Sequence, residues 1–162
     1  VIYYDQDYEM LQLAKDVDSV IPSVTYVGKK SVFFGMTRKR GVTLFSLPEL
    51  SSEEKLALAK EVAAFIVKFA LKTPQRNGLY AQNPDINGGN ILVDPETKRM
   101  TGMIDFGDAY YGPLTELKTS IGQGIHDQGS HTEINDFVQT ELKVFLAPQS
   151  RPARKVDGAI ER

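Results

Sequence analysis

Cysteine is absent from the 162 residues of this chain. The fold therefore cannot rest on disulfides, a zinc–thiolate centre is excluded, and no thiol nucleophile is available. The redox compartment stays open. Basic residues are not in excess either: 19 Lys and Arg stand against 21 Asp and Glu, for a formal net charge of −2 and a pI near 5.7. With no Lys/Arg run interleaved with aromatics, the chain lacks the phosphate-neutralising surface that nucleic acid requires, and nucleic acid is not an expected partner. Long apolar runs are missing as well, the longest being about a third of the roughly 20 residues a membrane span needs. No basic-then-apolar leader opens the sequence. A soluble, cytoplasmic protein with no membrane partner is the expectation. Val1 rather than Met opens the chain, as in a chain that has been cut, processed or drawn from a longer one. Repeats and low-complexity tracts are also lacking.

What is present suits one globular domain: 41% of residues are hydrophobic and 25% charged, enough to bury a core at this length. Pro and Gly punctuate five segments. From about Asp5 to Val17, Tyr8, Leu11, Ala14 and Val17 recur at helical spacing, with Asp5 and Asp7 suited to the positive end of a helix. After Pro22, the β-branched and aromatic runs Val24–Val27 and Ser31–Met36, split by Gly28-Lys29-Lys30, predict a hairpin. A polar turn, Thr37 to Gly41, leads into Val42-Thr43-Leu44.

Ser51 and Glu54 form a capping box, and Leu58, Val62, Phe65, Ile66 and Phe69 follow on one stripe before Pro74. This predicts a long helix from Ser52 to Leu71. Two short apolar runs come next, Ile91–Val93 and Met100–Ile104, joined by the turn-forming Asp94-Pro95-Glu96-Thr97-Lys98. Ile134, Phe137, Val138, Leu142 and Phe145 predict a last helix, and the polar, basic residues from Pro148 onward a mobile tail.

If the two short runs pair antiparallel about a turn centred between Thr97 and Lys98, Asn90 stands opposite Asp105. Opposed Cβ atoms lie roughly 5 Å apart, so an amide oxygen and a carboxylate would converge at the open end of the hairpin. Hard oxygens in that arrangement suit Mg²⁺, which takes one or two protein ligands and fills its octahedron with water and phosphate oxygens. Asp85 lies five residues before Asn90, on the loop containing Gly88-Gly89. A carboxylate there can orient a substrate hydroxyl and accept its proton. The competing reading is that Asp and Asn at strand ends merely cap turns.

The run Asp85-Ile86-Asn87-Gly88-Gly89-Asn90-Ile91-Leu92-Val93-Asp94, followed by Gly102-Met103-Ile104-Asp105-Phe106-Gly107-Asp108-Ala109, resembles the catalytic and metal-binding segments of aminoglycoside phosphotransferase and choline-kinase-like enzymes. These belong to the protein-kinase-like superfamily. The resemblance implies a catalytic role for Asp85, metal binding by Asn90, and a metal-motif aspartate in Asp105. It implies an α+β, two-lobe fold: a reduced N-lobe with a small antiparallel sheet and hinge over about residues 1–40, a mainly helical C-lobe over about 41–147, and a tail over 148–162. Glu9 sits where the family's first helix carries a glutamate that pairs with a strand lysine. Phe33 to Leu44, with Met36 at the hinge, resembles the wall of the adenine pocket. ATP and Mg²⁺ are the implied cofactors, and a hydroxyl-bearing acceptor the implied partner.

Some positions depart from that pattern. The family's catalytic loop carries histidines two residues before and two after the aspartate, where this chain has Asn83 and Asn87. An asparagine can still donate and accept hydrogen bonds. Only eight residues precede Glu9, too few for a glycine-rich loop and strand lysine, so the resemblance implies a truncated or minimal N-lobe. Three functions stay open: an ATP-dependent phosphotransferase acting on a small-molecule hydroxyl, such as an aminoglycoside, sugar or amino alcohol; a minimal protein kinase acting on Ser/Thr; and a pseudokinase that binds without catalysis. His126 and His131, with Asp127 and Glu133, could form a metal or acid–base site but read more readily as loop residues. Tyr110 and Tyr111 could meet an acceptor or simply pack. Arg38, Lys39 and Arg40 read as a solvated turn, and Glu116 as structural.

Overall fold

A computed structural model describes residues 3–27, 34–119, 121 and 131–147. The first helix, α1 (Tyr3–Ala14), buries Leu11 and Ala14 of the predicted stripe together with Met10, while Tyr8 is half-buried. It stops before Val17, whose N–H bonds the carbonyl of Ala14 in a closing turn. Strands β1 (Val24–Val27) and β2 (Phe34–Met36) pair antiparallel, Val27 opposite Phe34. Residues 28–33 between them, including Lys29, Lys30 and Phe33, lie outside the described residues.

The short strand β3 (Val42–Thr43) leaves β2 and pairs instead with β5 (Ile91–Val93), which in turn pairs with β6 (Met100–Met103). Gly41 makes this entry possible. Its φ is +116°, and a Cβ there would come within 2.7 Å of the Val93 carbonyl oxygen, so only glycine fits without moving backbone. After one 3-10 turn (Leu44–Ser46), helix α2 runs from Ser52 to Lys72. The predicted capping box is present in full, with Ser51 Oγ accepting from Glu54 N–H and Glu54 Oε2 from Ser51 N–H at 2.8 Å. Leu58, Val62, Phe65, Ile66 and Phe69 are all buried. At about 1.5–3 kcal/mol for each large side chain, this face is the main contributor to the core.

Strands β4 (Tyr80–Gln82) and β7 (Tyr110–Gly112) form a third antiparallel pair that the sequence patterns do not predict. Helix α3 (Thr132–Leu146) packs along α2, burying Ile134, Val138 and Leu142. Phe145, expected on that stripe, is instead 39% exposed. Polar ties join the parts: Lys68 reaches Asp18 at 2.7 Å, Lys55 reaches Glu133 at 2.7 Å, and Glu61 accepts Met100 N–H at 2.8 Å. The result is a mixed α+β architecture of small antiparallel sheets around α2. No helix among the described residues is long and apolar enough to cross a membrane. The expected tail at 148–162 lies outside the described residues.

The hairpin register differs from expectation. Ile91 pairs with Met103 and Leu92 with Gly102, with an irregularity before Val93 opposite Met100. Asn90 therefore faces Ile104, whose N–H donates to the Asn90 carbonyl at 3.0 Å, and not Asp105. The turn is the cause. Asp94 Oδ1 caps the N–H groups of Glu96 and Thr97, and Lys98 takes a φ of +58°, which closes the turn earlier than a centre between Thr97 and Lys98 would allow.

Candidate active site

The loop between β4 and β5 is organised by three asparagines around Asp85. Asn83 Oδ1 accepts the Asp85 N–H at 3.0 Å. Asn87 Nδ2 donates to Asp85 Oδ1 at 2.8 Å and Asn90 Nδ2 to Asp85 Oδ2 at 2.8 Å. Each carboxylate oxygen thus receives one amide donor, which fixes its plane while leaving lone pairs free. Asn87 also closes its own turn by accepting Gly89 N–H at 2.7 Å. The loop rests on Phe45: the Phe45 N–H bonds the Gly88 carbonyl at 3.2 Å, and a Cβ on Gly88 would lie 2.6 Å from the ring.

Asp105 leaves β6 with φ +64°, a left-handed conformation uncommon outside glycine. Its carbonyl is held by Asn83 Nδ2 at 2.8 Å, so the buried Asn83 bridges the Asp85 loop to the Asp105 segment. The Asp105 carboxylate is exposed and accepts Gly107 N–H at 3.3 Å. Phe106 is fully buried against Phe69. Asp105, Ile104, Gly107 and Asp108 line an open cavity of about 640 Å³ together with Phe34, Met36 and Asp7. Met36 and Asp105 thus line the same cavity. Asp85 and Asn90 do not line the cavity but join it through the Asn90–Ile104 backbone pair.

Glu9 is not brought to the cavity; it forms an exposed ion pair with Arg76, whose guanidinium lies over the Tyr111 ring at 4.8 Å. Among the described side chains of α1, the acid that lines the cavity is Asp7, which accepts Phe106 N–H at 2.9 Å. Burial pushes the Asp7 carboxyl up, the Phe106 hydrogen bond opposes this, and the negative charge of Asp105 adds to the rise. A signal for Asp7 was present: it lies three and four residues before the buried Met10 and Leu11, a charge on an apolar stripe.

Among the described residues no group of three His, Cys, Asp or Glu side chains gathers as a metal centre. Two side-chain oxygens remain as candidate donors for a hard cation. Asn90 Oδ1 accepts no hydrogen bond from the described residues, since only its Nδ2 is engaged, and the exposed Asp105 carboxylate stands one residue beyond Ile104. Two oxygen ligands with the remainder from phosphate and water is the usual protein share for Mg²⁺.

His131 is buried beside the Phe45 ring, centroids 5.8 Å apart, while His126 and Asp127 lie outside the described residues. Glu133 is paired with Lys55. Of the basic turn, Arg38 and Arg40 are exposed, whereas the ammonium of Lys39 donates to the Ser19 carbonyl. Tyr110 reaches Gln82 at 3.3 Å, and Glu116 is exposed in a 3-10 turn.

A family model described as the phosphotransferase enzyme family (APH) matches residues 84–116. That segment carries Asp85, Asn90 and Asp105. The match points to phosphotransfer in general. No curated protein matches the chain.

Proposed function

We propose that this chain is a Mg²⁺- and ATP-dependent phosphotransferase that moves the γ-phosphoryl group to a hydroxyl acceptor. The observation that carries this reading is the double engagement of Asn90: its side-chain Nδ2 donates to Asp85 Oδ2 while its backbone carbonyl accepts the N–H of Ile104, the residue preceding Asp105. One residue thereby couples a candidate proton acceptor to a candidate metal ligand, within the segment the phosphotransferase family model matches. The protein-kinase-like arrangement, with nucleotide in the cavity between Met36 and Asp105, belongs to the same proposal.

In this reading the nucleotide supplies the transferable group; Asn90 Oδ1 and the Asp105 carboxylate would hold a Mg²⁺ ion, which would supply charge neutralisation at the phosphates, and Phe34 and Met36 offer apolar surface to the base. Asp85, clamped by Asn87 and Asn90, orients the acceptor hydroxyl. The acceptor oxygen bonds to the γ-phosphorus as the bond to the β–γ bridging oxygen breaks; the hydroxyl proton passes to Asp85 and ADP leaves. Catalysis is then mainly positioning and charge neutralisation.

The test is phosphate release from ATP with water as acceptor, with and without Mg²⁺, in the parent chain and in Asp85→Ala and Asp105→Ala. A slow Mg²⁺-dependent release, lost in both variants, is expected. Full release by Asp105→Ala would refute the mechanism, and nucleotide uptake without any transfer would make the chain a binding module.

A further inference from the structure

Two consecutive side chains of α1 grip the segment that follows Asp105. Asp7 Oδ1 accepts the Phe106 N–H at 2.9 Å, and the Gln6 amide donates to the Ala109 carbonyl. Residues 106 to 109 are thus tied at both ends to one turn of a helix. On the other side, Asn83 holds the Asp105 carbonyl at 2.8 Å. Between these anchors Asp105 keeps a φ of +64°, a conformation that costs a non-glycine residue free energy and persists only where its surroundings over-determine it.

The anchor on α1 is itself fixed. Asp7 belongs to the stripe of Met10, Leu11 and Ala14, all buried, so the helix cannot rotate its carboxylate away without exposing core. Glu9, two residues on, points to Arg76 and takes no part.

The geometry assigns Asp7 as a positioning residue: by holding Phe106 N–H it keeps Asp105 left-handed with its carboxylate on the cavity, and so sets the affinity for a cation-bound nucleotide. This rests on the phosphotransfer reading above. Asp7 acts through backbone, not through contact with the ion, and its role therefore depends on an acceptor oxygen more than on charge.

Two measurements on Asp7→Ala and Asp7→Asn test this: amide hydrogen exchange at Phe106 without ligand, and calorimetric titration with Mg²⁺–ADP. In Asp7→Ala, exchange at Phe106 should accelerate at least about tenfold while α2 amides stay protected, and Mg²⁺–ADP affinity should fall about tenfold. Asp7→Asn, which keeps an acceptor oxygen, should restore both to within about threefold of the parent. Asp7→Ser, polar but too short to reach Phe106, replaces the Ala variant if that protein does not fold. Unchanged exchange and affinity in Asp7→Ala would overturn the positioning role alone. An Asp7→Asn protein as impaired as Asp7→Ala would also overturn it, by showing that the charge acts on the ion. A parent chain that takes up no Mg²⁺–ADP would refute the phosphotransfer reading and this one with it.

Discussion

The rings of Phe106 and Phe69 meet at 5.5 Å, inclined by 41°, and both side chains are buried. This contact seats the residue after Asp105 on α2, and Phe69 also stacks on Phe65 at 5.9 Å. Phe69→Ala should cost about 3–5 kcal/mol. Urea unfolding should show a lowered midpoint with an unchanged slope. A loss below about 1 kcal/mol would mean the site is not built on this cluster.

Asn90 serves two groups, so its replacement should be felt twice. In the phosphotransfer reading, Asn90→Ala removes a donor from Asp85 and an oxygen from the cation, and should lower turnover by about 10²-fold. Because the two residues act as a unit, Asp85→Ala/Asn90→Ala should fall little below Asp85→Ala. Multiplying losses in the steady-state rates would contradict the shared arrangement.

Acid should weaken the tie between Asp18 and α2. Burial alone would raise the Asp18 carboxyl, but hydrogen bonds from Lys68 and the Val20 N–H, the Lys68 charge and Ser19 outweigh it and hold the group below the usual carboxylate range. A depressed folded value stabilises above the unfolded one, so this contribution is present above about pH 4 and lost as pH falls through the folded value. Lys68 is 39% exposed along its side chain, so screening limits the effect to about 1 kcal/mol or less. Denaturation midpoints of Lys68→Met should lose part of the parent's decline below about pH 4; an identical decline would exclude the pair as its source.

Much of the architecture is legible in the sequence where several local signals agree. Around α2, the Ser51–Glu54 box, the apolar stripe and Pro74 all mark the same helix. The hairpin of β5 and β6 was legible as a hairpin, but its register was not, because the Asp94 cap and the left-handed Lys98 close the turn in a way composition does not reveal. Strands β4 and β7 are three residues each, too short for a period to show. In the candidate site, motif and spacing point to Asp85, Asn90, Asp105 and Met36 as candidates, but single out Glu9 and not Asp7 as the acid of α1. Two positions along a helix is about 200° of rotation, and the neighbouring buried Met10 and Leu11 put Asp7 on the inner face.

Gly41 is a backbone position that tolerates no side chain without strain. Its φ of +116° is strained for any L side chain, and a Cβ would meet Thr101 Oγ1 at 2.6 Å and the Val93 carbonyl oxygen, which is backbone and cannot turn aside, at 2.7 Å. Gly41→Ala should destabilise by about 1–3 kcal/mol, read as a fall in the thermal midpoint. A neutral outcome would place β3 differently from its pairing with β5.

Thermal unfolding with ATP, and with ATP plus Mg²⁺, in the parent chain and Asp105→Ala, tests the central claim most directly. Ligand at 100 times its dissociation constant adds about 2.7 kcal/mol, roughly 5–10 °C for a domain of this size. A Mg²⁺-dependent rise in the parent that disappears in Asp105→Ala is the predicted result; the same rise in both proteins, or none in the parent, would contradict a nucleotide site built on Asp105.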